Sequence, residues 1–225
     1  AQMRSRFLTA SVGYAPLVPL YAQLARWYSG GAIPACQHWA VDEVAPGDRV
    51  LFAGPGPGTD VLRASQAGLR VTAIDHCPVM LAATKRRLQN AGVAERVELV
   101  HADLRQHPPA AEFDVVIAQF FLNVFPPDYL PQVLSALAGY LKPAGRLIIG
   151  DFAPLVDGGR CWQQRYHDLP MHILARFGAN ARHPVHDLPV YLNKAGFQLL
   201  ERRRFRLFSV GPDWIEGLVA TPGTN

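Results

Sequence analysis

The residues best suited to chemistry gather in a short glycine run and at two carboxylates downstream of it. Gly54, Gly56 and Gly58 alternate with Pro55 and Pro57 directly after the apolar run Arg49–Ala53. A strand that ends in such a loop and turns into a helix lets backbone approach a ligand without Cβ clashes. It also offers the N–H groups of the helix start. Proline has no N–H, so backbone donors in this loop come from Gly54, Gly56, Gly58 and Thr59. Asp75 lies 21 residues past Gly54, at the end of the next apolar run. A carboxylate at that place can accept from two ribose hydroxyls. Asp103, in His101-Ala102-Asp103-Leu104, ends a third run. There a carboxylate can accept from the exocyclic amine of adenine, with Leu104 against the ring. It can equally cap a helix.

These groups need elements to hold them. Short apolar runs at 49–53, 69–75, 96–101, 113–118 and 146–152 predict strands, and the segments between them predict helices. Pro78 suits a helix start, and Gly92 falls just past the end of that helix. Leu130, Val133, Leu134, Leu137 and Leu141 recur at helical spacing before the turn Lys142–Gly145. Alternation of strand and helix implies a mostly parallel sheet with right-handed crossovers. At the end, strands 198–208 and 214–221 follow one another around Gly211-Pro212, so that pair is expected to be antiparallel. The reading is therefore an α/β, Rossmann-like, doubly wound seven-stranded sheet with an antiparallel C-terminal strand. Residues 1–45 form a helical N-terminal lid segment, 46–225 the main domain, and 153–185 a lid insertion within it.

Bulk properties bound the function. The 225 residues are 49% hydrophobic, with formal net charge +4, which is ordinary for one α/β domain with its own core. No apolar stretch reaches 18 residues, so no membrane span is expected. Residues 1–10 carry two arginines and no sustained apolar run, so a signal peptide is not expected. Cys36, Cys77 and Cys161 are odd in number and far apart, which reads as reduced thiols in a cytoplasmic protein. The basic triplets 85–87 and 202–204 read as solvated faces rather than a nucleic-acid footprint.

Together these motifs resemble a known family. Val50-Leu51-Phe52-Ala53-Gly54-Pro55-Gly56-Pro57-Gly58 resembles motif I of the class I S-adenosylmethionine-dependent methyltransferases. Ala73-Ile74-Asp75 is similar to their acidic ribose-binding motif, Ala102-Asp103-Leu104 to their adenine-binding motif, and 141–147 to their turn into strand five. Tyr21 with Ser29-Gly30-Gly31 looks like the ubiquinone/menaquinone C-methyltransferase group of small-molecule enzymes. Ala22 and Phe52 depart from the acids usual in that group. The resemblance implies S-adenosyl-L-methionine as cofactor, held by Gly54, Gly56, Gly58, Thr59, Asp75, His76, Met80, Asp103, Leu104 and Gln119.

A methyl on a sulfonium is already activated, so the protein must mainly align an acceptor and exclude water. A base is needed only where the acceptor loses a proton. The acceptor is expected to be a small, partly apolar molecule, lined by Tyr14, Tyr21, Phe120, Asn123 and Tyr166. His167 or His172 is the candidate base. The loop after strand four lacks the Asn/Asp-Pro-Pro-Tyr of nucleic-acid amino methyltransferases, so no nucleic-acid partner is expected. His183 and His186 lack further ligands, so no metal is expected. Two other readings stay open. One is a protein that binds the donor without methyl transfer. The other is a nicotinamide dehydrogenase, although its G-x-G-x-x-G would place glycine where Thr59 stands.

Overall fold

The computed structural model describes residues 21–107, 111–154, 162–169 and 183–223. Strands β1 (Arg49–Ala53), β2 (Arg70–Asp75), β3 (Val97–His101), β4 (Phe113–Gln119), β5 (Leu141–Phe152), β6 (Phe197–Phe205) and β7 (Ile215–Pro222) form one sheet. Its order is β3-β2-β1-β4-β5-β7-β6. Strands β1 to β5 pair in parallel, and β7 runs antiparallel to both β5 and β6. This is the mostly parallel seven-stranded sheet with an antiparallel C-terminal strand that the sequence predicts. Successive connections run outward in opposite directions from β1 and β4. Open α/β sheets bind ligands at such a switch point, beyond the carboxyl ends of the strands.

The helices are α1 (Tyr21–Ser29), α2 (Ala32–Asp42), α3 (Thr59–Gln66), α4 (Pro78–Asn90), α5 (Leu130–Tyr140), α6 (residues 162–169) and α7 (Leu188–Lys194). Alternating side chains of the strands feed two apolar layers. One packs Val50, Phe52, Val115, Ile117 and Ile148 against Ile33, Cys36, Trp39 and Val61. The other packs Leu51, Val116, Leu147 and Ile149 against Leu130, Leu134, Leu137 and Leu192. The helical period noted in the sequence is thus the buried stripe of α5.

Boundaries differ from expectation by more than one residue in two of the strands. The sequence starts the fifth strand at Arg146, but β5 begins at Leu141, because Leu141 is buried and pairs with Phe113 across a register shift. The sequence runs the sixth strand to Phe208, but β6 stops at Phe205. Phe208 and Ser209 take φ of 52° and 61° in the turn Leu207–Ser209, which extended backbone cannot continue through. The triplet 202–204 also differs from a plain solvated face. Arg202 and Arg204 converge on the fully buried Glu216 at 2.8 Å and 3.5 Å, while Arg203 lies over the Phe205 ring.

Gly150 and Gly217 are direct partners across β5 and β7, leaving a notch in the sheet. Helix α2 seats Trp39 against Gly217 and Cys36 against Gly150. A Cβ at Gly217 would come within 2.1 Å of the Trp39 ring. Gly217→Ala is therefore expected to lower stability by about 1–3 kcal/mol, as overpacking does. A urea unfolding midpoint unchanged from wild type would contradict this seating.

Candidate functional site

The loop after β1 is shaped by its glycines. Gly54, Gly56 and Gly58 have φ of 64°, 54° and 75°, the left-handed region that favours glycine. Two of them are closely covered by protein. A Cβ at Gly54 would meet the Phe121 ring at 2.3 Å, and one at Gly58 would meet Thr84 at 2.6 Å. At Gly56 a Cβ would find no heavy atom within 4 Å, so this glycine faces open space. Helix α4 braces the loop from below. The Thr84 hydroxyl donates to the Gly56 carbonyl at 2.9 Å, and Arg87 Nε donates to the Pro57 carbonyl at 2.8 Å. Arg87, the last residue of the triplet 85–87, is thus a loop brace rather than part of a solvated face. Helix α3 then starts at Thr59.

Asp75 ends β2 and is 9% exposed. Its Oδ1 accepts from the Cys77 backbone N–H at 2.8 Å and lies 3.6 Å from His76 Nδ1. Burial raises its pKa, opposed by the N–H of Cys77 and by His76. Met80 and Leu104 are buried beside this strand end. Asp103 is held by its own neighbours. Arg105 donates to both carboxylate oxygens, at 3.0 Å and 2.7 Å, and Gln106 Nε2 donates to Oδ2 at 3.3 Å. Burial pulls this carboxyl upward, but the hydrogen bonds from Arg105 outweigh it and hold the pKa below the usual range.

Asp60, in the first turn of α3, was not singled out from sequence. It is 6% exposed, its Oδ1 has no hydrogen-bond partner among the described residues, and burial pushes its pKa up to about 7. Gln119, at the end of β4, likewise buries Nε2 without a partner, and only the missing side chain of Gly150 makes room for it. A raised folded pKa means that the folded protein holds a proton which the unfolded chain releases between about pH 4 and 7. The contribution is fully present below the unfolded pKa and is lost as pH rises through 7. Asp60→Asn is therefore expected to gain stability relative to wild type between pH 5 and pH 8. Urea midpoints of both proteins at the two pH values test this, and a constant difference contradicts it.

Past Gln119 the chain turns sharply. Phe120 has φ 50°, a strained value for a non-glycine residue. The turn sends Phe120 toward Phe152, with ring centroids 5.7 Å apart, and Phe121 onto Gly54 and Phe125. Asn123 is pinned to the end of β5. Its backbone N–H donates to Asp151 Oδ2 at 3.1 Å and its side-chain amide to Oδ1 at 2.7 Å. Its amide nitrogen is thereby spent on Asp151. Burial pushes Asp151 up to about 7, against the donors Phe152 and Asn123. His183 and His186 stack at 4.2 Å and place Nε2 on the carbonyls of Asn123 and Phe125. They staple their segment to this turn. Among the described residues, no group of three or more His, Cys, Asp or Glu side chains is placed to hold a metal ion. No described helix is long and apolar enough to cross a membrane.

Helix α6 closes the site from above. Tyr28 of α1 and Tyr166 stack at 4.4 Å, and each hydroxyl donates to the other's backbone carbonyl. Beneath α6 lies a cavity of about 10 Å³, room for a single water, lined by Phe152, Gln163, Tyr166, His167, Val185, Leu207 and Trp214. His167 is 4% exposed and packs edge-on to Phe152 at 4.8 Å. Its Nδ1 faces Asp168 Oδ1 at 3.4 Å, while Nε2 is buried without a partner among the described residues. Burial holds its pKa below the ordinary value, against the pull of Asp168. A carboxylate only accepts, so Nδ1 carries the proton and the Nε2 lone pair is left unused. Tyr166 and His167 thus stand together at this cavity, with Phe120 behind Phe152. The side chain of Tyr21 is not described, and Tyr14, Cys161 and His172 lie outside the described residues.

Comparison with known proteins agrees with this architecture. Residues 50–145 match the family model described as a methyltransferase domain. The chain is 36% identical over 108 residues to the 27-O-demethylrifamycin SV methyltransferase of Amycolatopsis mediterranei, covering 47% of this chain and 39% of that protein. It is 31% identical over 136 residues to the ribosomal protein L11 methyltransferase of Burkholderia mallei, covering 60% of this chain and 42% of that protein. The chain therefore spans about two-fifths of the length of these curated relatives. Among solved structures, the 1,6-didemethyltoxoflavin-N1-methyltransferase of Burkholderia thailandensis superposes with TM-score 0.68 at 18% identity. That match covers 96% of this chain and 88% of the other. Residues 50–145 are thus similar to a methyltransferase domain, and the sheet around them has the fold of the methyltransferase structure on which it superposes.

Proposed function

We propose that this chain transfers a methyl group from S-adenosylmethionine to a small, partly apolar acceptor. The observation that carries the reading is the join between two sites. An open left-handed glycine and a buried carboxylate lie at one strand edge. Phe120, just past the end of β4, packs on Phe152, which packs on His167, whose Nε2 has no hydrogen-bond partner among the described residues. The residues present fit the donor. Gly56 leaves room for backbone approach, Asp75 offers a carboxylate for ribose hydroxyls, and Met80 and Leu104 offer apolar surface for a ring. The orphaned Asp60 Oδ1 suits an ammonium and Gln119 Nε2 a carboxylate. Asp103 would meet an adenine amine through a carboxylate already shared with Arg105.

When bound, the donor supplies a methyl group activated by its sulfonium. The chain's own residues do the rest. Tyr166, Phe152 and Trp214 exclude water and orient the acceptor. His167 Nε2 takes the proton that an O–H or N–H acceptor loses as it gains the methyl group, and Asp168 steadies the imidazolium. The absence of nucleic-acid acceptors, and cytoplasmic residence, belong to the same reading.

Calorimetry with S-adenosylhomocysteine and NAD side by side tests the donor. Binding of the first and not the second is expected. Thr59 occupies the place where the dinucleotide fingerprint needs its third glycine, and β7 is antiparallel. Binding of NAD alone would overturn the proposal.

A further inference from the structure

Helices α1 and α6 meet through one ring pair and leave apolar side chains in water beside it. In α1, Leu24 is three residues from Trp27 and four from Tyr28, so the three share one side of the helix. In α6, Trp162 precedes Tyr166 by four residues and Leu169 follows it by three, which makes one stripe. Gln163 and His167 leave α6 on another side and are buried. Tyr28 and Tyr166 stack at 4.4 Å, so the two exposed flanks adjoin at this pair. Trp27 is 73% exposed and Trp162 72%, and Leu24 and Leu169 are exposed as well. The turn after β6 extends the same surface. A Cβ at Gly30, just past the end of α1, would meet the Phe208 ring and backbone at 2.5 Å, so this turn abuts α1. There Phe208 holds a φ of 52° with its ring exposed, and Val210 is 88% exposed. Backbone strain is tolerated here although it leaves an apolar ring in water.

Single apolar side chains are normal on a surface, whereas a contiguous set marks a contact site. The charge beside this set is of one sign. The first 41 residues hold Arg4, Arg6 and Arg26 and no Asp or Glu. Helix α6 adds Arg165, while its acid, Asp168, is turned to Gln164 and His167. Arg206 of the turn is answered by Asp213 at 3.1 Å. A protein partner would seat its anchor side chains in pockets. The cavity under α6 holds only about 10 Å³, and the two helices present a ridge. A bilayer needs no pocket. Tryptophan and leucine with arginine on one helical surface is the composition that settles among lipid headgroups. We propose that α1, α6 and the adjoining turn dock on the surface of an anionic lipid bilayer, with Trp27 and Trp162 at headgroup depth and Arg26 and Arg165 among the lipid phosphates. The contact is interfacial, and no helix spans the bilayer. This goes beyond the methyltransferase reading and holds whatever the acceptor is.

The test is sedimentation of the full chain with vesicles of phosphatidylcholine alone and of phosphatidylcholine mixed equally with phosphatidylglycerol. Binding to the mixed vesicles is expected, about tenfold tighter than to the neutral ones at low salt. Added salt should erase that difference. Trp27→Gln and Trp162→Gln are each expected to weaken binding about tenfold. Both side chains stand in water, so thermal melting should not move. Phospholipids brominated on the acyl chain should quench wild-type tryptophan emission. The double variant keeps Trp39 and Trp214 and should lose most of that quenching. Should it fail to fold, quenching of the wild type decides. Absence of sedimentation with either vesicle overturns the proposal, and so does binding that survives both substitutions. A dimer formed without vesicles and dissolved by the double variant would assign this face to a second copy of the chain. Emission shielded from acrylamide in water would assign it to another part of the same chain. Either result is contrary. Failure of S-adenosylhomocysteine to bind would count against the donor site and leave this surface untouched.

Discussion

Gly56→Asn is expected to weaken S-adenosylhomocysteine binding by about 100-fold, roughly 2.8 kcal/mol, while the protein stays folded. The choice of asparagine isolates volume from strain. Asparagine visits the left-handed region more readily than other L-residues, so a φ of 54° costs it little. No protein atom lies within 4 Å of the new Cβ, so the native packing is not disturbed. What the side chain does enter is the space through which a ligand would approach the backbone. The same change at Gly58 forms the control. There Thr84 stands 2.6 Å from the added carbon, so Gly58→Asn should lose stability as well as binding. Calorimetry and thermal melting of the two variants separate the effects. Full-strength binding by Gly56→Asn would mean that the donor does not use this loop.

His167→Ala is expected to lower kcat by about 100- to 10,000-fold toward a hydroxyl acceptor, the range that positioned bases supply, with affinity for S-adenosylhomocysteine unchanged. The pH profile distinguishes a base from a packing residue. Burial holds the imidazole pKa below its ordinary 6.5, so wild-type activity should fall on an acidic limb whose midpoint lies below that value. Below the midpoint the imidazole is protonated and cannot accept. The variant should lack this limb, leaving only the slower titrations of other groups. Asp168→Asn gives an intermediate case. It keeps a partner for Nδ1 but removes the negative charge that steadies the imidazolium, so the limb should move lower still. A profile of unchanged shape in His167→Ala would assign the histidine to packing alone.

Much of the geometry of the candidate donor side was legible because its signals are local. A positive φ favours glycine. The strand, loop and acid occur in order along one stretch, so Gly54, Gly56, Gly58 and Asp75 could be named without knowing the fold. The terminal β6–β7 pair was legible for a similar reason, since two strands joined by a short link have little choice but to run antiparallel. The acceptor side depends on contacts between distant segments, and sequence carries little trace of these. Asp60 reads as an ordinary first-turn acid, and only burial with an orphaned oxygen marks it out. Gln163 reads as a solvated helix residue until its amide is seen pinned to Ala153. Asn123 shows the reverse. It lies in the expected loop, but its side chain is turned onto Asp151, whose carboxylate has no sequence signal of its own. The triplet 85–87 divides within itself, since whether a basic residue is solvated or braces a loop depends on what lies across from it. Here Arg87 lies across from Pro57.

The exchange between Tyr28 and Tyr166 bears on kinetics. Two hydroxyl-to-carbonyl bonds and one stacked ring pair join α1 to α6, and any separation of these helices must part them. The three contacts share the same two residues, so they break together rather than in sequence. Opening then behaves as a single thermally activated event with a threshold, not as gradual loosening. Turnover would carry the temperature dependence of that event if opening is slower than transfer. Tyr28 and Tyr166 lie 138 positions apart, so the rate of this opening is written in two places that share no sequence motif.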